Sequence, residues 1–287
     1  MKNLKYYFKK AYKEHFAIGQ FNFSDFSQVK GIVEAAKNLK SPIILGTSEG
    51  ESKFVGLQEA VAMRNVLRKK TGLPIFLNLD HGKSYAYVKQ AIEAGYDMVH
   101  FDGSKLPLEG NIKITKKVVA AAKRKNTVVE GEVGRIGTDA SRVYTEKFQI
   151  KEEDLTRLED AALYVKKTGV NVLAVSIGTF HGIDISGVSP NLRLDALRQI
   201  KAKADLPFVL HGGSGTPEQD VKEAIALGIA KININTETRL AFSNALRKKL
   251  EIDKDEIVPY KYLPEPIFAV QRVVEKYIAL FGSEGKV

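Results

Sequence analysis

The 287-residue chain contains no cysteine. That excludes a disulfide framework and every thiolate metal site, so a metal here has to be held by histidine and carboxylate. The same absence fits a reducing compartment, and a cytoplasmic location is expected. No apolar run approaches the roughly 18 residues of a membrane span. The first ten residues are basic but lack the apolar stretch of a signal peptide. No membrane partner is therefore expected. Acidic residues are the minority charge, 34 against 44 Lys and Arg, which leaves a net charge of +10. The basic excess is scattered over amphipathic patterns, for example at Lys113, Lys116, Lys117 and Lys123, with no basic–aromatic groove motif. Nucleic acid is not an expected partner; an anionic small substrate is. Histidine is scarce as well, with five in the chain.

What is present is a regular alternation. Short runs rich in Val, Ile and Leu predict strands at 17–23, 42–48, 74–81, 98–104, 128–134, 172–178, 207–214 and 231–236. Helical patterns follow at 27–39, 57–70, 85–94, 112–124, 153–167, 194–203, 217–227 and 238–249. Strands that are apolar on both faces suit a parallel sheet. Eight such units over about 250 residues predict an α/β fold, a closed (β/α)8 (TIM) barrel. An open doubly wound sheet would need a glycine-rich fingerprint after the first strand, and residues 20–26 carry none. Two segments fall outside the repeat: a long polar connection at 134–154, and a C-terminal piece from 252 with an additional amphipathic helix near 266–281. No linker is visible, and residues 1–287 read as a single domain.

In a barrel of this kind the C-terminal strand ends face the active site. Here those ends carry Asn22, Ser48, Asp80, His81, Asp102, Glu132, His181, His211, Gly212, Gly213, Ser214, Asn233, Asn235 and Thr236. A catalytic zinc needs three protein ligands and an open position. His81, His181 and His211 supply three imidazoles from the third, sixth and seventh strands. One such histidine alone would read as structural; three in one context point to a shared metal. His15 and His100 keep the structural reading. Asp80 is a candidate proton donor or acceptor beside the metal, or a cap for the helix that follows. Asp102 and Glu132 are candidate further metal ligands, or partners that orient the histidines, or a salt bridge at the mouth. The run from His211 to Gly215 leads from a strand into a helix. Its glycines let backbone N–H groups approach an anion, and Ser214 adds a donor.

Four motifs carry a resemblance: Leu79-Asp80-His81-Gly82, Gly178-Thr179-Phe180-His181-Gly182, Leu210-His211-Gly212-Gly213-Ser214-Gly215, and the run from Lys231 to Glu237. With them the chain resembles, over nearly its whole length, the class II metal-dependent fructose-bisphosphate aldolase family, which includes tagatose-bisphosphate aldolases. The resemblance implies a zinc or other divalent ion on His81, His181 and His211, and it admits a monovalent cation. It makes Asp80 the catalytic acid and base at the aldehyde-derived hydroxyl. It places dihydroxyacetone phosphate on Gly182, Gly212, Gly213, Ser214, Asn233 and Thr236, and the aldehyde part on Ser48. Asp102 and Glu132 match carboxylates of a possible second metal. Arg239 lies where some members reach the distal phosphate in a neighbouring subunit. Asn235 stands where fructose-selective members carry Asp or Asn and tagatose-selective ones Ala, which favours fructose 1,6-bisphosphate.

The reaction so implied is reversible aldol cleavage of a glycolytic sugar through a metal-stabilised enediolate, in a homodimer or tetramer. The chain departs from the family after the fifth strand. A glutamate implicated in proton transfer is missing from 134–141, where Asp139 is the acid that could stand in. That departure keeps open a tagatose-bisphosphate or other phosphosugar aldolase, and a phosphosugar-binding relative without catalysis.

Overall fold

The computed structural model describes residues 2–136, 143–184 and 190–287. The chain enters through α1 (Leu4–Glu14) and then alternates: β1 (Ile18–Asn22), α2 (Phe26–Asn38), β2 (Ile43–Ser48), α3 (Glu49–Val55), α4 (Leu57–Thr71), β3 (Ile75–Gly82), α5 (Tyr85–Ala94), β4 (Met98–Phe101), α6 (Leu108–Lys123) and β5 (Val128–Val133). It continues with α7 (Leu158–Thr168), β6 (Val172–Val175), α8 (Leu194–Lys203), β7 (Phe208–Leu210), α9 (Glu218–Ala226), β8 (Ile229–Ile234), α10 (Thr236–Ile252), α11 (Pro259–Tyr262) and α12 (Pro264–Leu280). The eight strands pair in chain order, all in parallel, and β8 returns to β1 with Ile18 beside Lys231 and Gln20 beside Asn233. The expected closed (β/α)8 barrel is therefore present. Among the described residues no helix is long and apolar enough to cross a membrane.

Local signals explain several element ends. Asp25 caps α2 by accepting from the Gln28 amide, and Ser84 caps α5 by accepting from Tyr87. Ser48 and Glu51 form a reciprocal capping box at the start of α3. Gly72, Gly95 and Gly169 end α4, α5 and α7 in the left-handed conformation.

The apolar interior has two parts. One layer lies between the strands and the surrounding helices, with members such as Val29, Ile32, Leu45, Leu77, Val99, Leu173 and Val270. The other fills the floor of the barrel, where Ile18, Ile44, Phe76, Met98, Val128, Val172 and Val209 meet Leu4, Tyr7, Phe8 and Ala11 of α1. Strand side chains alternate in direction, so the interior positions can be followed upward in steps of two. Above Ile18 come Gln20 and Asn22; above Phe76, Asn78 and Asp80; above Met98, His100 and then Asp102 just past the strand; above Val128, Glu130 and Glu132.

Three helices were not expected from the sequence: α1, α3 and α11. The spacing Leu4, Tyr7, Phe8, Ala11 is helical, and it gives α1 the apolar face that plugs the floor. The helix expected at 153–167 begins only at Leu158, after a short 3-10 turn at Glu152–Asp154. Thr156 explains the delay. Its amide donates to the Ser176 carbonyl, its hydroxyl donates to the Val133 carbonyl, and that same hydroxyl accepts from the Ser176 amide. A backbone stitched between the ends of β5 and β6 cannot also begin a helix.

Candidate active site

β3 carries the central residues, and it does not end as a regular strand. Its register against β4 shifts between Leu79 and Gly82, and His81 takes a left-handed conformation with φ +52°. In an unbroken strand Asp80 and His81 would face opposite sides of the sheet. The irregularity turns both toward the mouth. The following helix is capped by Ser84, so the reading of Asp80 as its cap is corrected.

The three expected histidines converge. Ring centroids of His81 and His181 are 4.7 Å apart, those of His81 and His211 4.6 Å, and those of His181 and His211 5.9 Å. Hydrogen bonds fix two of the rings. His81 Nδ1 lies 3.0 Å from Asp102 Oδ2, while its Nε2 is buried with no hydrogen-bond partner among the described residues. His211 Nε2 lies 2.5 Å from Glu130 Oε1, and its Nδ1 lies 3.2 Å from the Asn233 amide nitrogen. Each ring thus directs one N–H to a carboxylate, as metal-ligating histidines commonly do; His81 keeps its Nε2 lone pair, while the Nδ1 lone pair of His211 accepts from Asn233 Nδ2. The donor set of imidazole nitrogen and carboxylate oxygen fits a divalent transition metal such as zinc.

Asp80 is held from two sides. Asn22 Nδ2 donates to Oδ2 at 2.9 Å, and Asn233 Nδ2 donates to Oδ1 at 3.0 Å. Burial pushes the Asp80 carboxyl up, but His81, His100, His211 and Lys231 outweigh it and hold the group well below the usual carboxylate range. Burial and the neighbouring His81 and His211 hold His181 well below the ordinary imidazole value, which leaves it neutral. His211 is lowered by burial as well, against the pull of Glu130. His81 is raised, because Asp80 and Asp102 more than offset its burial. Asp102 is depressed despite burial by its bond to His81.

A cavity of about 470 Å³ opens above these groups, and every site residue expected from the sequence except Gly213 lines it. Gly213 holds the turn from behind, through its amide on the Asn233 carbonyl at 3.2 Å. Gly212 has φ +66°, and a Cβ there would stand 2.1 Å from the Phe180 carbonyl oxygen. Only glycine lets the phosphate-type turn pass that close to the loop bearing His181. Gly46 has a different role: a Cβ would fall 2.0 Å from Asn22 Oδ1, so its lack of a side chain leaves room for the Gln20–Asn22 pair. Thr236 opens α10 and is buried, and Asn235 immediately before it presents a buried Oδ1 with no hydrogen-bond partner among the described residues. Arg239, one turn into α10, reaches Glu51 with Nη2 inside the chain's own cavity. Asp139 lies outside the described residues.

His100, read from the sequence as structural, stands inside the site: it is fully buried, its ring lies 4.6 Å from His81 and 4.8 Å from His211, and its Nε2 is 3.0 Å from Glu132 Oε2. It groups with Asp80, His81 and His211 as a set of potential ligands, and His81, Asp102 and Glu132 form a second set. Burial opposes protonation of His100, while Glu130, Asp80 and Glu132 favour it, and the net pull is upward. Two other members were also missed. Glu130 and Lys231 are both fully buried and paired at 2.8 Å. The signal for all three was strand alternation. His100, Glu130 and Lys231 each stand two residues before a site residue, Asp102, Glu132 and Asn233, on the same inward face.

Comparison with known proteins gives one consistent result. The sequence model of the family described as Fructose-bisphosphate aldolase class-II matches residues 2–286. A 6-phospho-5-dehydro-2-deoxy-D-gluconate aldolase of Shouchella clausii is 39% identical over 279 residues, covering 96% of this chain and 92% of that protein. A fructose-bisphosphate aldolase of Streptococcus pneumoniae is 38% identical over 289 residues, covering 94% of each. Among solved structures, the YdjI aldolase of Escherichia coli K12 superposes with a TM-score of 0.84 at 29% identity, covering 100% of this chain and 99% of its own.

Proposed function

From the premise that the chain belongs to the class II fructose-bisphosphate aldolase family, we propose that it is a zinc-dependent aldolase that reversibly cleaves fructose 1,6-bisphosphate. The products would be dihydroxyacetone phosphate and glyceraldehyde 3-phosphate. The observation that carries this reading is the convergence of His81, His181 and His211 beside an ionised Asp80, with the Nε2 lone pair of His81 unused by any hydrogen bond among the described residues. His81, His181 and His211 would hold the ion, which when bound supplies Lewis-acid polarisation of a carbonyl.

The remaining chemistry belongs to the chain. Gly182, Gly212, Gly213 and Ser214, with Asn233, Asn235 and Thr236 at the start of α10, form the cradle for the phosphate of the ketone half. Ser48 faces the aldehyde half across the cavity. Asp80, kept in place by Asn22 and Asn233, takes and returns the proton of the hydroxyl that becomes the aldehyde. Lys83, Lys105, Arg135 and Arg239 line the outer cavity and would receive the second anionic group. Asp102 and Glu132 could hold a second cation, divalent or monovalent. The enzyme would work in the cytoplasm on a small phosphorylated sugar, as a homodimer or tetramer.

The test is direct. Cleavage of fructose 1,6-bisphosphate should vanish on chelation with EDTA and return with zinc. Activity that persists through thorough chelation would sink the metal-dependent reading. A second reading has its own support. A relative 39% identical, against 38% for the fructose-bisphosphate aldolase, is named for a substrate bearing one phosphate and one carboxylate, and the family's glutamate is absent from 134–141. The same assay run with tagatose 1,6-bisphosphate and 6-phospho-5-dehydro-2-deoxy-D-gluconate separates the two. Turnover of another phosphosugar with negligible cleavage of fructose 1,6-bisphosphate selects the alternative. Binding of zinc and dihydroxyacetone phosphate without exchange of the substrate's C–H proton would leave a non-catalytic relative.

A further inference from the structure

His100 takes no part in the chemistry assigned above, yet both its ring nitrogens meet groups that matter to it. The His81 backbone N–H points at His100 Nδ1 across 3.2 Å. A backbone amide can only donate, so Nδ1 must offer its lone pair. The ring proton then sits on Nε2, and Nε2 faces Glu132 Oε2 at 3.0 Å, a carboxylate oxygen that also lies 3.9 Å from His81 Nδ1. Glu130 Oε1 and Asp80 Oδ1 stand farther off, 3.8 Å and 3.9 Å from Nδ1. His100 is fully buried and spans from the bend in β3 to the end of β5.

The bend needs such support. A left-handed conformation at a residue other than glycine costs about 1–2 kcal/mol, and His81 has it at φ +52° where the β3–β4 register shifts. Without something to receive the His81 amide, the regular ladder is the cheaper path, and it would aim His81 away from Asp80. We propose that His100 is a positioning residue: it holds β3 out of register at His81, so that Asp80 and His81 share the mouth, and it orients Glu132 from its other end. The consequence for metal binding rests on the proposed role of His81 as a ligand.

Three variants separate this role from simple core filling. His100→Leu removes both ends of the strut. His100→Asn restores an acceptor near the Nδ1 position, and His100→Gln restores a donor near Nε2 only. Two measurements are made on each: hydrogen–deuterium exchange of the 80–82 amides in the metal-free protein, and zinc affinity by competition with a chromophoric chelator. In His100→Leu the His81 amide should exchange about tenfold faster or more, and zinc should bind about 10–100-fold more weakly. His100→Asn should stay close to the unaltered protein in both. His100→Gln should resemble His100→Leu in exchange. If His100→Leu fails to fold, the contrast between Asn and Gln carries the same test.

Unchanged exchange and zinc affinity in His100→Leu would overturn the proposal. So would equal losses in the Asn and Gln variants that merely follow their melting temperatures. If the unaltered protein binds no zinc, the metal reading fails, and the exchange arm alone still decides whether His100 pins the bend.

Discussion

The floor and the mouth of the barrel use the same strands at the same alternating positions, yet they are built from opposite materials. At the floor, nine apolar strand side chains among the described residues close against α1. Above it the interior turns polar, through a middle layer of His100, Glu130 and Lys231 to Asp80 and His211 at the mouth, each with 6% exposure or less. Burying an ion costs several kcal/mol unless partners offset it, and here nearly every charge has one: Lys231 for Glu130, Asn22 and Asn233 for Asp80. The contrast teaches where stability and chemistry reside. The floor contributes apolar burial and asks nothing of its residues beyond shape. The mouth adds little net stability and is specified by hydrogen-bond direction. One barrel can carry both because the interior is layered along its axis.

The largest expected effect that sharpens this contrast is at Asp80. Asp80→Asn should lower kcat about 100- to 10,000-fold, while setting an NH2 against one of the two amide donors should cost only about 1–3 kcal/mol of stability; a kcat that falls only in step with the folded fraction would break the division. At the floor, Phe76→Ala should lose about 3–5 kcal/mol of stability, read from urea denaturation, while zinc affinity and kcat of the folded fraction hold. A large drop in kcat there would mean that floor packing reaches the site.

Lys231→Met tests the layer between them. Leaving Glu130 buried without its cation should cost about 3–5 kcal/mol, and adding Glu130→Gln should recover part of it. Failure of the second change to recover anything would show that Lys231 acts through shape rather than charge. The smallest effect is expected for Ser48→Ala. Loss of the α3 cap should cost about 1 kcal/mol, and KM should rise if Ser48 also meets the substrate. An unchanged KM would assign Ser48 wholly to the capping box.

The barrel was legible because its signal is repetitive: eight apolar runs separated by eight helical patterns leave few alternatives. The expected spans of α5 and α8 match the structure at both ends. The mouth was legible where polar residues end a strand, which is how His81, His181, His211 and Asp80 were found. The middle layer was not. His100, Glu130 and Lys231 sit inside apolar runs, and only tracing alternation back from Asp102, Glu132 and Asn233 reveals that they face inward. The start of α7 was misplaced because Thr156 has tertiary partners on both neighbouring strands, a fact with no local trace. In α1 the apolar spacing of Leu4, Tyr7, Phe8 and Ala11 is interleaved with Lys5, Lys9 and Lys10, and that basic pattern masks the helix in the sequence.

The pairing of β1 with β8 has a consequence in time. These strands come from opposite ends of the chain, and contacts of such large sequence separation form late in folding. Asn22 sits on one side of that seam and Asn233 on the other, and both donate to Asp80. The carboxylate proposed to move the proton is therefore fully clasped only when the ring shuts. A refolding chain would gain its helices and most of its sheet before it gained a working Asp80. Recovered activity would then report closure of the seam rather than the accumulation of secondary structure.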